Sequence, residues 1–388
     1  MKIVQSAESA HHKMQNKKKK IFIIAGEVSG DVLGAKIMRE MPNTKFVGIG
    51  GENMARAGLK TLFPISDLAV MGVFEVVAHA RTLTRRIKQT VDAIIREKPD
   101  IVLTIDSPGF ARGVVGKLRK SVVGKKLIAN GLRFHHVVAP QVWAWRPGRA
   151  KKYAKTLDKL YAFFDFEVPY FTKYGLDTIA IGHPISDGLI GRKYNGNKSK
   201  SVLLIPGSRM SEVKKLLPVL RDVANAIKRE SPDFKFIIPT VETTREYIEK
   251  SIKNWTVPVQ LVDSSARYDV YSDAFIAIAA SGTVSAELAM IHVPTIVIYK
   301  MNLLTMLLAK PFIRTRWISL VNILLKRGVY AELLGPYANT KNIMNEFHKL
   351  TDKNVRKKMI AELTRADTMW QKSDGVPAKI IASDIDKH

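Results

Sequence analysis

From Ile21 onward the chain alternates short apolar runs with longer segments of helical periodicity, and this alternation constrains the fold more than any other feature. Apolar runs bounded by Gly, Pro or Asp and followed by helical segments are typical of repeated strand and helix units in a parallel sheet. A polar stretch from Arg192 to Lys200 interrupts the alternation, which then restarts. The pattern predicts an α/β protein with two doubly wound, Rossmann-like halves, and we interpret the polar stretch as the linker between them.

The predicted strands of the first half are Ile21–Ala25, Lys45–Gly48, Ile101–Ile105, Leu127–Ala129, Phe134–Val138, Leu160–Phe163 and Thr178–Ile181. Those of the second half are Val202–Ile205, Phe236–Pro239, Val259–Val262, Phe275–Ala279 and Thr295–Tyr299. Helices are expected near 211–229, 243–253, 283–291, 341–349 and 353–371, with a final one from Pro377 to Asp384. Because open α/β sheets bind ligands at the carboxyl ends of their strands, a cleft between the two halves is expected.

The pattern also predicts the domain boundaries. Residues 1–20 contain six lysines and no apolar segment before Ile21, which indicates a basic disordered tail rather than a signal peptide. Residues 21–185 and 186–370 are expected to form the two Rossmann-like domains, and residues 371–388 a C-terminal helix.

Composition narrows the class of partner and excludes several kinds of site. Lys and Arg number 62 against 35 Asp and Glu, so the net charge of +27 favours a polyanionic partner such as nucleic acid, anionic lipid or a phosphorylated substrate. The chain has no cysteine, which excludes disulfides, thiolate nucleophiles and thiolate metal sites. No run of 18 apolar residues exists, so any membrane contact is expected to be peripheral.

Two loops of the first half follow predicted strands. The loop Gly26-Glu27-Val28-Ser29-Gly30-Asp31 opens a helix and suits either ligand contact or capping of that helix by Ser29 or Asp31. Asp106 stands at the carboxyl end of the strand Ile101–Ile105, where α/β sheets place catalytic groups. Its carboxylate suits the removal of a proton from a hydroxyl nucleophile, and the alternative is a turn or capping aspartate.

Two turns of the second half suit a nucleotide. Gly207, Ser208 and Arg209 follow one strand, and Arg209 offers a planar cation for a phosphate. Ser281, Gly282 and Thr283 lie between another strand and a helix, where backbone N–H groups suit a diphosphate. Glu287 follows one turn later and is suited to accept hydrogen bonds from a ribose. Helix capping explains each turn alone, whereas their pairing favours a nucleotide site. No Walker A sequence is present, which argues against a P-loop NTPase.

Basic and aromatic residues are concentrated in two further segments. Residues 107–157 contain twelve Lys or Arg and no acid, together with Trp143 and Trp145, which would share one face of an extended segment. Such a surface suits an anionic membrane or nucleic acid, and the alternatives are a buried strand and a solvated basic face. Residues 300–331 likewise carry six cations and no acid among many apolar residues. The histidines His135, His136 and His183 show no metal-ligand spacing and are interpreted as structural or substrate-contacting.

Seven blocks of sequence, taken in order, resemble the lipid-A-disaccharide synthase family. They are AGEVSGD at 25–31, LAVMGVFEV at 68–76, IDSPGF at 105–110, PQVWAWR at 140–146, GHP at 182–184, LLIPGSRMSEV at 203–213 and ASGTVSAELA at 280–289. The resemblance runs from about residue 21 to the C-terminal region. It implies the GT-B fold, with an acceptor-binding first domain, a UDP-sugar-binding second domain and a final helix that crosses back onto the first.

The resemblance implies an inverting glycosyltransferase that transfers 2,3-diacylglucosamine from UDP-2,3-diacylglucosamine to 2,3-diacylglucosamine 1-phosphate, giving a β-1,6 disaccharide and UDP. Asp106 is then the expected general base, with Glu27 and Ser29 on the acceptor side. The expected nucleotide-binding residues are Gly207, Ser208, Arg209, Ser281, Gly282, Thr283, Glu287 and Asn322. No cofactor and no divalent metal are expected, because Arg209 would offset the diphosphate charge. A cytoplasmic protein on the anionic surface of the inner membrane is expected, with no nucleic-acid partner; the oligomeric state is left open.

Two alternatives remain open on the sequence. A UDP-sugar epimerase of the same fold would share the nucleotide half but would need no surface for acyl chains. A basic nucleic-acid-binding protein would explain the net charge of +27, but it leaves the two turns of the second half and Glu287 unexplained. Binding by such a protein would fall steeply with salt and would not need UDP.

Overall fold

The computed structural model describes residues 18–68, 73–144, 146–189, 191–300, 315–370 and 375–387. Five predictions lie wholly or partly outside these residues: most of the basic tail, residues 69–72 of the LAVMGVFEV block, Trp145, residues 301–314 of the second basic segment, and residues 371–374 and 388 of the C-terminal segment. The chain divides into two compact units, which are described separately below. One is formed by the chain up to Pro184 together with the chain after Lys372, and the other by Ile185–Lys372.

The first unit contains a six-stranded parallel sheet in the order β2-β1-β3-β4-β5-β6. Its strands are β1 Lys20–Ala25, β2 Lys45–Ile49, β3 Ile101–Ile105, β4 Arg133–Val137, β5 Lys159–Ala162 and β6 Asp177–Ala180. Its described helices are α1 Val28–Glu40, α2 Glu52–Arg56, α3 Val73–Glu97, α4 Pro108–Lys120, α5 Val122–Ala129, α6 Arg149–Ala154 and α7 Pro169–Thr172.

The second unit repeats this architecture with the strand order β12-β11-β10-β7-β8-β9, again parallel throughout. Its strands are β7 Ser201–Ile205, β8 Lys235–Thr240, β9 Val259–Asp263, β10 Ile276–Ala280, β11 Thr295–Tyr299 and β12 Ala331–Leu334. Its described helices are α8 Met210–Glu230, α9 Glu242–Ile252, α10 Arg267–Ser272, α11 Thr283–Met290, α12 Leu320–Leu325, α13 Thr340–Thr351, α14 Lys353–Arg365 and α15 Asp367–Trp370. A further helix, α16 Pro377–Asp386, belongs to the first unit.

The central strands of both sheets are buried on both faces, which explains why they are almost entirely apolar. In β1, Phe22 and Ile24 join one buried cluster, whereas Ile21 and Ile23 join the cluster on the opposite face. Side chains alternate between faces along a strand, so a strand buried on both sides must be apolar at every position. The expectation of two doubly wound α/β domains is therefore confirmed at the level of the fold.

The structure corrects the predicted elements at three places. The predicted strand Leu127–Ala129 is the end of helix α5, whose first turn is capped by the Ser121 hydroxyl at 2.9 Å from the Gly124 amide. Strand β12 was not predicted, because its four residues AELL are all half-buried and include a glutamate, so they form no continuous apolar run. The single helix expected over 353–371 is two helices separated at Ala366. A short apolar run does not by itself distinguish a strand from a helix.

Candidate functional site

A cavity lies at the carboxyl edge of the second sheet, where the strand order reverses. Strand β7 is flanked by β8 on one side and by β10 on the other, so the chain leaves β7 in one direction and later returns on its opposite side. Ligands of open α/β sheets bind at such a switch point. The cavity has a volume of about 380 Å³, and its wall is formed by the loops that follow β7, β8, β9 and β10.

Seven of the eight residues expected to bind a nucleotide line this cavity. They are Gly207, Ser208, Arg209, Ser281, Gly282, Thr283 and Glu287. The parallel register brings two segments that are more than 70 residues apart in sequence to one edge, because β7 and β10 are hydrogen-bonded neighbours. The two turns that sequence reasoning paired are therefore adjacent in space.

The turn after β7 needs glycine at position 207. Gly207 has a φ of +105°, and a Cβ atom at this position would lie 2.6 Å from Oε2 of Glu212. Glu212 in turn accepts a hydrogen bond of 2.9 Å from Nη1 of Arg209. The Arg209 side chain remains 60% exposed, so its guanidinium stands at the rim of the cavity with donors still directed to solvent. A phosphate entering the cavity can be bound by these donors.

The turn after β10 also depends on glycine. Gly282 has φ +152° and ψ −160°, a conformation that only glycine adopts readily, and open space surrounds the position where its Cβ would be. Helix α11 begins at Thr283, and no side chain caps it at Gly282. The first amides of a helix have no intrahelical acceptor and attract anions. The turn thus presents backbone donors to the cavity.

The cavity also contains residues that sequence reasoning missed. One of them is Arg267, whose Nη2 lies 3.2 Å from Oε1 of the Glu287 carboxylate. Glu287 itself is 7% exposed. Thr240 and Val241 after β8 and Ser264 after β9 complete that side of the wall. No motif marks these positions, and the only available signal was that they follow the predicted strands β8 and β9.

Asn322, the eighth expected nucleotide residue, does not line the cavity. It is fully buried, and both of its amide hydrogens are used, on the Tyr330 carbonyl oxygen at 2.9 Å and on Oε1 of Glu332 at 2.8 Å. Its oxygen accepts from the amides of Val329 and Tyr330. The structure therefore places Asn322 in a saturated hydrogen-bond network that joins helix α12 to strand β12.

The first unit has a corresponding switch point between β1 and β3, and the expected acceptor-side loops meet there. Gly26 follows β1 and lies so close to Ser107 that a Cβ atom on it would be 1.7 Å from the Ser107 hydroxyl oxygen. Glu27 is half-buried and Ser29 is exposed in the first turn of α1. Asp106 follows β3 directly. The sheet thus brings the Glu27 loop and Asp106 to one edge.

The backbone around Asp106 is strained. Asp106 and Ser107 both have positive φ, at 55° and 46°, and Val138, after the neighbouring strand β4, has φ 82°. Such conformations are costly for residues other than glycine and are concentrated at functional sites. The Asp106 amide donates to the Val137 carbonyl oxygen at 3.0 Å, which ties the two loops together. The half-buried Asp106 carboxylate accepts from the Ser107 amide at 2.8 Å.

Ser29 and Asp31 were the two candidate caps for helix α1, and neither of them caps it. Ser29 lies inside the helix, and the buried Asp31 caps the next helix, α2, by accepting from the amides of Gly51, Asn53 and Met54 at 2.7 to 3.0 Å. Burial opposes the ionisation of Asp31, yet these hydrogen bonds and one from the Asn53 side chain hold its pKa below the usual value. Asp31 is thus a structural residue, while Ser29 stays exposed on the acceptor-side loop.

The segment after β4 is a turn and not the extended strand considered above. Trp143 is half-buried and donates through Nε1 to Oε1 of Glu167 at 3.0 Å. Oε2 of Glu167 accepts from the amides of Phe163 and Phe164 at 3.1 Å. Burial raises the pKa of Glu167 to about 7 in spite of these donors. The buried glutamate therefore joins the loop after β4 to the end of β5.

The basic character of residues 107–157 lies at the surface. Ten of the twelve Lys and Arg in this segment are exposed.

Among the residues that the structure describes, no helix combines the length and the apolar character needed to cross a bilayer. In the same residues no three His, Asp or Glu side chains are grouped closely enough to share a metal ion.

Comparison with known proteins places this chain among a single group of relatives. A sequence model described as lipid-A-disaccharide synthetase matches residues 21–379. The chain is 40% identical to the lipid-A-disaccharide synthase of Rhodospirillum centenum over 81% of its length and 80% of the relative. It is 36% identical to those of Gluconobacter oxydans, over 94% and 89% of the two chains, and of Rickettsia canadensis, over 94% and 97%.

Solved structures show the same fold at low sequence identity. The UDP-GlcNAc 2-epimerase of Neisseria meningitidis, bound to UDP-GlcNAc, has a TM-score of 0.58 at 13% identity, covering 95% of this chain and all of the other. The glycotransferase of kitacinnamycin has a TM-score of 0.60 at 10% identity, covering 96% of this chain and 99% of the other. These likenesses concern architecture alone.

Proposed function

The chain belongs to the lipid-A-disaccharide synthase family and is a glycosyltransferase of lipid A disaccharide synthesis, and we propose that its second unit binds the UDP of the donor while Asp106 activates the acceptor. Its substrates are a UDP-sugar donor and a lipid acceptor. The finer assignment, UDP-2,3-diacylglucosamine as donor and 2,3-diacylglucosamine 1-phosphate as acceptor, is part of the proposal. The observation that carries it is the cavity at the switch point of the second sheet, lined by seven of the expected residues.

In the proposed donor complex, each part of UDP meets a group suited to it. The Ser281 amide already donates to the Ile298 carbonyl oxygen, so the turn offers the amides of Gly282 and Thr283 to the diphosphate. Arg209 at the rim adds a cation. Gly207 lets the nucleotide approach the backbone closely, beside the hydroxyl of Ser208. Glu287 supplies a carboxylate oxygen to the ribose. Asn322 acts at a distance, by holding the chain between α12 and β12.

The proposed chemistry is a single displacement. The 6-hydroxyl oxygen of the acceptor attacks the anomeric carbon of the donor, the bond from that carbon to the diphosphate oxygen breaks, and UDP leaves with the bonding electrons. Asp106 takes the hydroxyl proton. One displacement inverts the anomeric centre, so one base is enough. Positive charge from Arg209 and the donors of the Ser281 turn stabilise the charge that grows on the departing diphosphate.

Glu27 and Ser29 are proposed to contact the acceptor. Their loop meets the Asp106 loop at the switch point of the first sheet, and the strained backbone there favours a functional site over a simple turn. Ser29 is exposed and Glu27 half-buried, so both are accessible to a ligand. Direct roles for these two residues in proton transfer are not needed by the single displacement.

An anionic bilayer is the proposed surface on which the lipid acceptor is met. The ten exposed cations of residues 107–157 support it, because juxtaposed Lys and Arg bind anionic lipid surfaces. The proposed location is the cytoplasmic face of the inner membrane, with peripheral attachment. Nucleic acid is not proposed as a partner, and neither is a divalent metal, since Arg209 and the Ser281 turn can bind the diphosphate themselves.

The test is UDP release by the purified protein with UDP-2,3-diacylglucosamine, with and without 2,3-diacylglucosamine 1-phosphate, in detergent containing EDTA. We expect release only with acceptor, and a disaccharide 1-phosphate by mass spectrometry. Product that disappears in EDTA and returns with Mg²⁺ would contradict metal independence. UDP binding without any disaccharide would contradict the proposed substrates.

Arg209→Ala tests the donor site separately. Loss of a charged hydrogen bond to phosphate should weaken UDP binding about tenfold or more in calorimetry. Arg221→Ala is the matched control, because Arg221 is an exposed arginine of helix α8, which begins directly after Arg209, and it does not line the cavity. The epimerase alternative is not favoured, since the family match and the curated relatives are synthases and the epimerase likeness concerns the fold alone.

A further inference from the structure

Glu287 is the centre of a hydrogen-bonded cluster in the wall of the cavity. Oε1 of its carboxylate accepts from Nη2 of Arg267 at 3.2 Å and from the Tyr268 hydroxyl at 3.1 Å. Oε2 accepts from Nε of Arg267 at 3.4 Å. The carboxylate is thus gripped on both oxygens by two neighbouring residues at the start of helix α10.

Arg267 is itself fixed by contacts that do not involve Glu287. Its Nη1 donates to the Ser264 carbonyl oxygen at 2.6 Å, and its Nη2 also donates to the Tyr268 hydroxyl at 2.7 Å. The guanidinium carbon lies 4.2 Å from the centre of the Tyr268 ring. Because a planar, stacked guanidinium has little freedom, the orientation that it imposes on Glu287 is also fixed.

The Glu287 carboxylate keeps few hydrogen-bond acceptor positions for a ligand. An ionised carboxylate has about four lone-pair positions. Among the residues that the structure describes, three donors occupy these positions, namely Arg267 Nε, Arg267 Nη2 and the Tyr268 hydroxyl. The remaining position belongs to Oε2. Glu287 therefore has one acceptor for a ligand, on a side chain that lines the cavity.

We propose that Arg267 and Tyr268 are positioning residues that turn Glu287 into a fixed acceptor for a single ribose hydroxyl of the bound nucleotide. This inference rests on the proposed nucleotide site and deepens it, because it assigns the selection of a ribonucleotide to one hydrogen bond. Arg267 makes this selection indirectly: it acts on the nucleotide only through the carboxylate that it holds.

The probes are UDP, 2′-deoxy-UDP and 3′-deoxy-UDP, measured by calorimetry against the full chain. With one acceptor position, only one of the two deoxynucleotides should bind more weakly than UDP. The expected loss is about tenfold to a hundredfold, the range for a hydrogen bond to a charged group. Equal losses for both deoxynucleotides, or none for either, would overturn the proposal while leaving UDP binding intact.

Four variants separate positioning from a merely structural role. Glu287→Gln and Arg267→Lys should each bring the ratio of deoxynucleotide to UDP dissociation constants close to one, and Tyr268→Phe should lower this ratio by a smaller amount. The matched control is Arg245→Lys, because Arg245 is likewise paired with carboxylates, those of Glu249 and Asp263, but does not line the cavity. The control should leave the ratio at the wild-type value.

The ratio is the decisive quantity, because loss of structure weakens all three nucleotides together and leaves it unchanged. An unchanged ratio in Arg267→Lys and Tyr268→Phe, with a lost ratio in Glu287→Gln, would overturn the positioning role but leave the donor site intact. Absence of UDP binding by the wild-type chain would overturn the proposed donor site and this inference together. Tyr268→Phe removes one hydroxyl and keeps the ring, so it remains informative if Arg267→Lys folds poorly.

Discussion

Asp106 is a carboxylate held in a backbone conformation that few residues other than glycine adopt, with φ 55°. We expect Asp106→Asn to lower kcat by about a hundredfold to ten-thousandfold, the usual contribution of a general base. UDP affinity should remain unchanged, because Asp106 belongs to the first unit and the nucleotide cavity to the second. The measurement is acceptor-dependent UDP release beside calorimetry with UDP.

Asp92→Asn is the control for this prediction. Asp92 is exposed on helix α3, so this variant makes the same chemical change away from the switch point. It should leave kcat unchanged. A loss of UDP affinity in Asp106→Asn as large as its loss of turnover would identify Asp106 as a structural aspartate instead.

Glu167 gives a prediction about stability against pH. Burial raises its pKa in the folded state to about 7, whereas the unfolded chain ionises it near 4.5. Between these values the folded state holds the proton and the unfolded state does not, so its contribution to stability is lost as the pH rises. Relative to wild type, Glu167→Gln should therefore gain about 3 kcal/mol between pH 4.5 and 7.5.

Urea denaturation of both proteins across this pH range measures the difference. Burial also lowers the pKa of His136 and of His183 to about 4, but both histidines are present in each protein and cancel. Glu52→Gln, at an exposed position of helix α2, should show no such trend. A flat difference for Glu167→Gln would mean that Glu167 ionises in the folded protein as it does in the unfolded chain.

The candidate site was predictable where the residue type itself indicates the backbone conformation, as glycine does in a turn. Gly207 and Gly282 stand in turns directly after strands, and the structure places both in one cavity. Arg267 and Tyr268 were not predictable, because their role depends on β9 and β10 lying on opposite sides of β7, which the sequence does not display. Asn322 was expected at the nucleotide by resemblance alone, and its burial depends on Glu332 and Tyr330, which pair with it across a loop.

At the scale of elements, helix α2 depends on an aspartate from a different helix. Asp31→Asn removes acceptor capacity from four donors, the amides of Gly51, Asn53 and Met54 and the Asn53 side chain. We expect a loss of about 2 kcal/mol in the free energy of unfolding, since capping and charged hydrogen bonds each contribute about 1 to 2 kcal/mol.

Asn53→Ala removes one of these donors and should cost about half as much in the same urea titration. UDP affinity should be unchanged in both variants. Equal stability of Asp31→Asn and wild type would show that the hydrogen bonds of Asp31 contribute nothing net to the fold. A change in UDP affinity would contradict the assignment of Asp31 as a structural residue.

The elements themselves were largely predictable, and the exceptions have a common cause. Eleven predicted strands agree with observed ones to within one residue at each end, because strands buried on both faces form continuous apolar runs. The segment Leu127–Ala129 is just as apolar but belongs to a capped helix. Strand β12 is partly buried at each of its four residues, so it lacks the apolar signal.

At the scale of the whole molecule, the charge of +27 predicts salt-dependent binding to anionic vesicles. Lys125→Glu with Lys126→Glu changes two exposed cations of helix α5. Each Lys near an anionic surface contributes about 1 kcal/mol, and each Lys→Glu change also adds a repulsive charge, so binding should weaken at least about thirtyfold in vesicle sedimentation.

Lys357→Glu with Lys358→Glu is the matched control, because it makes the same change of charge on helix α14 of the second unit. It should weaken vesicle binding much less. Equal loss in the two pairs would mean that total charge, and not the basic segment 107–157, governs binding. Tighter binding to RNA than to anionic vesicles at the same salt would contradict the membrane proposal.

Helix α16 fixes an order of events during synthesis on the ribosome. Its Ala378, Ile381 and Ile385 fill the core on the face of the first sheet that carries Ile21 and Ile23. Its Asp384 lies 3.2 Å from the nearly buried ammonium of Lys159. When residues up to 184 have emerged, this core is still open and Lys159 lacks one of its two carboxylates. The contiguous second unit can complete itself first. The unit translated first is therefore the last to be finished, and until then its open core exposes the kind of apolar surface that favours aggregation.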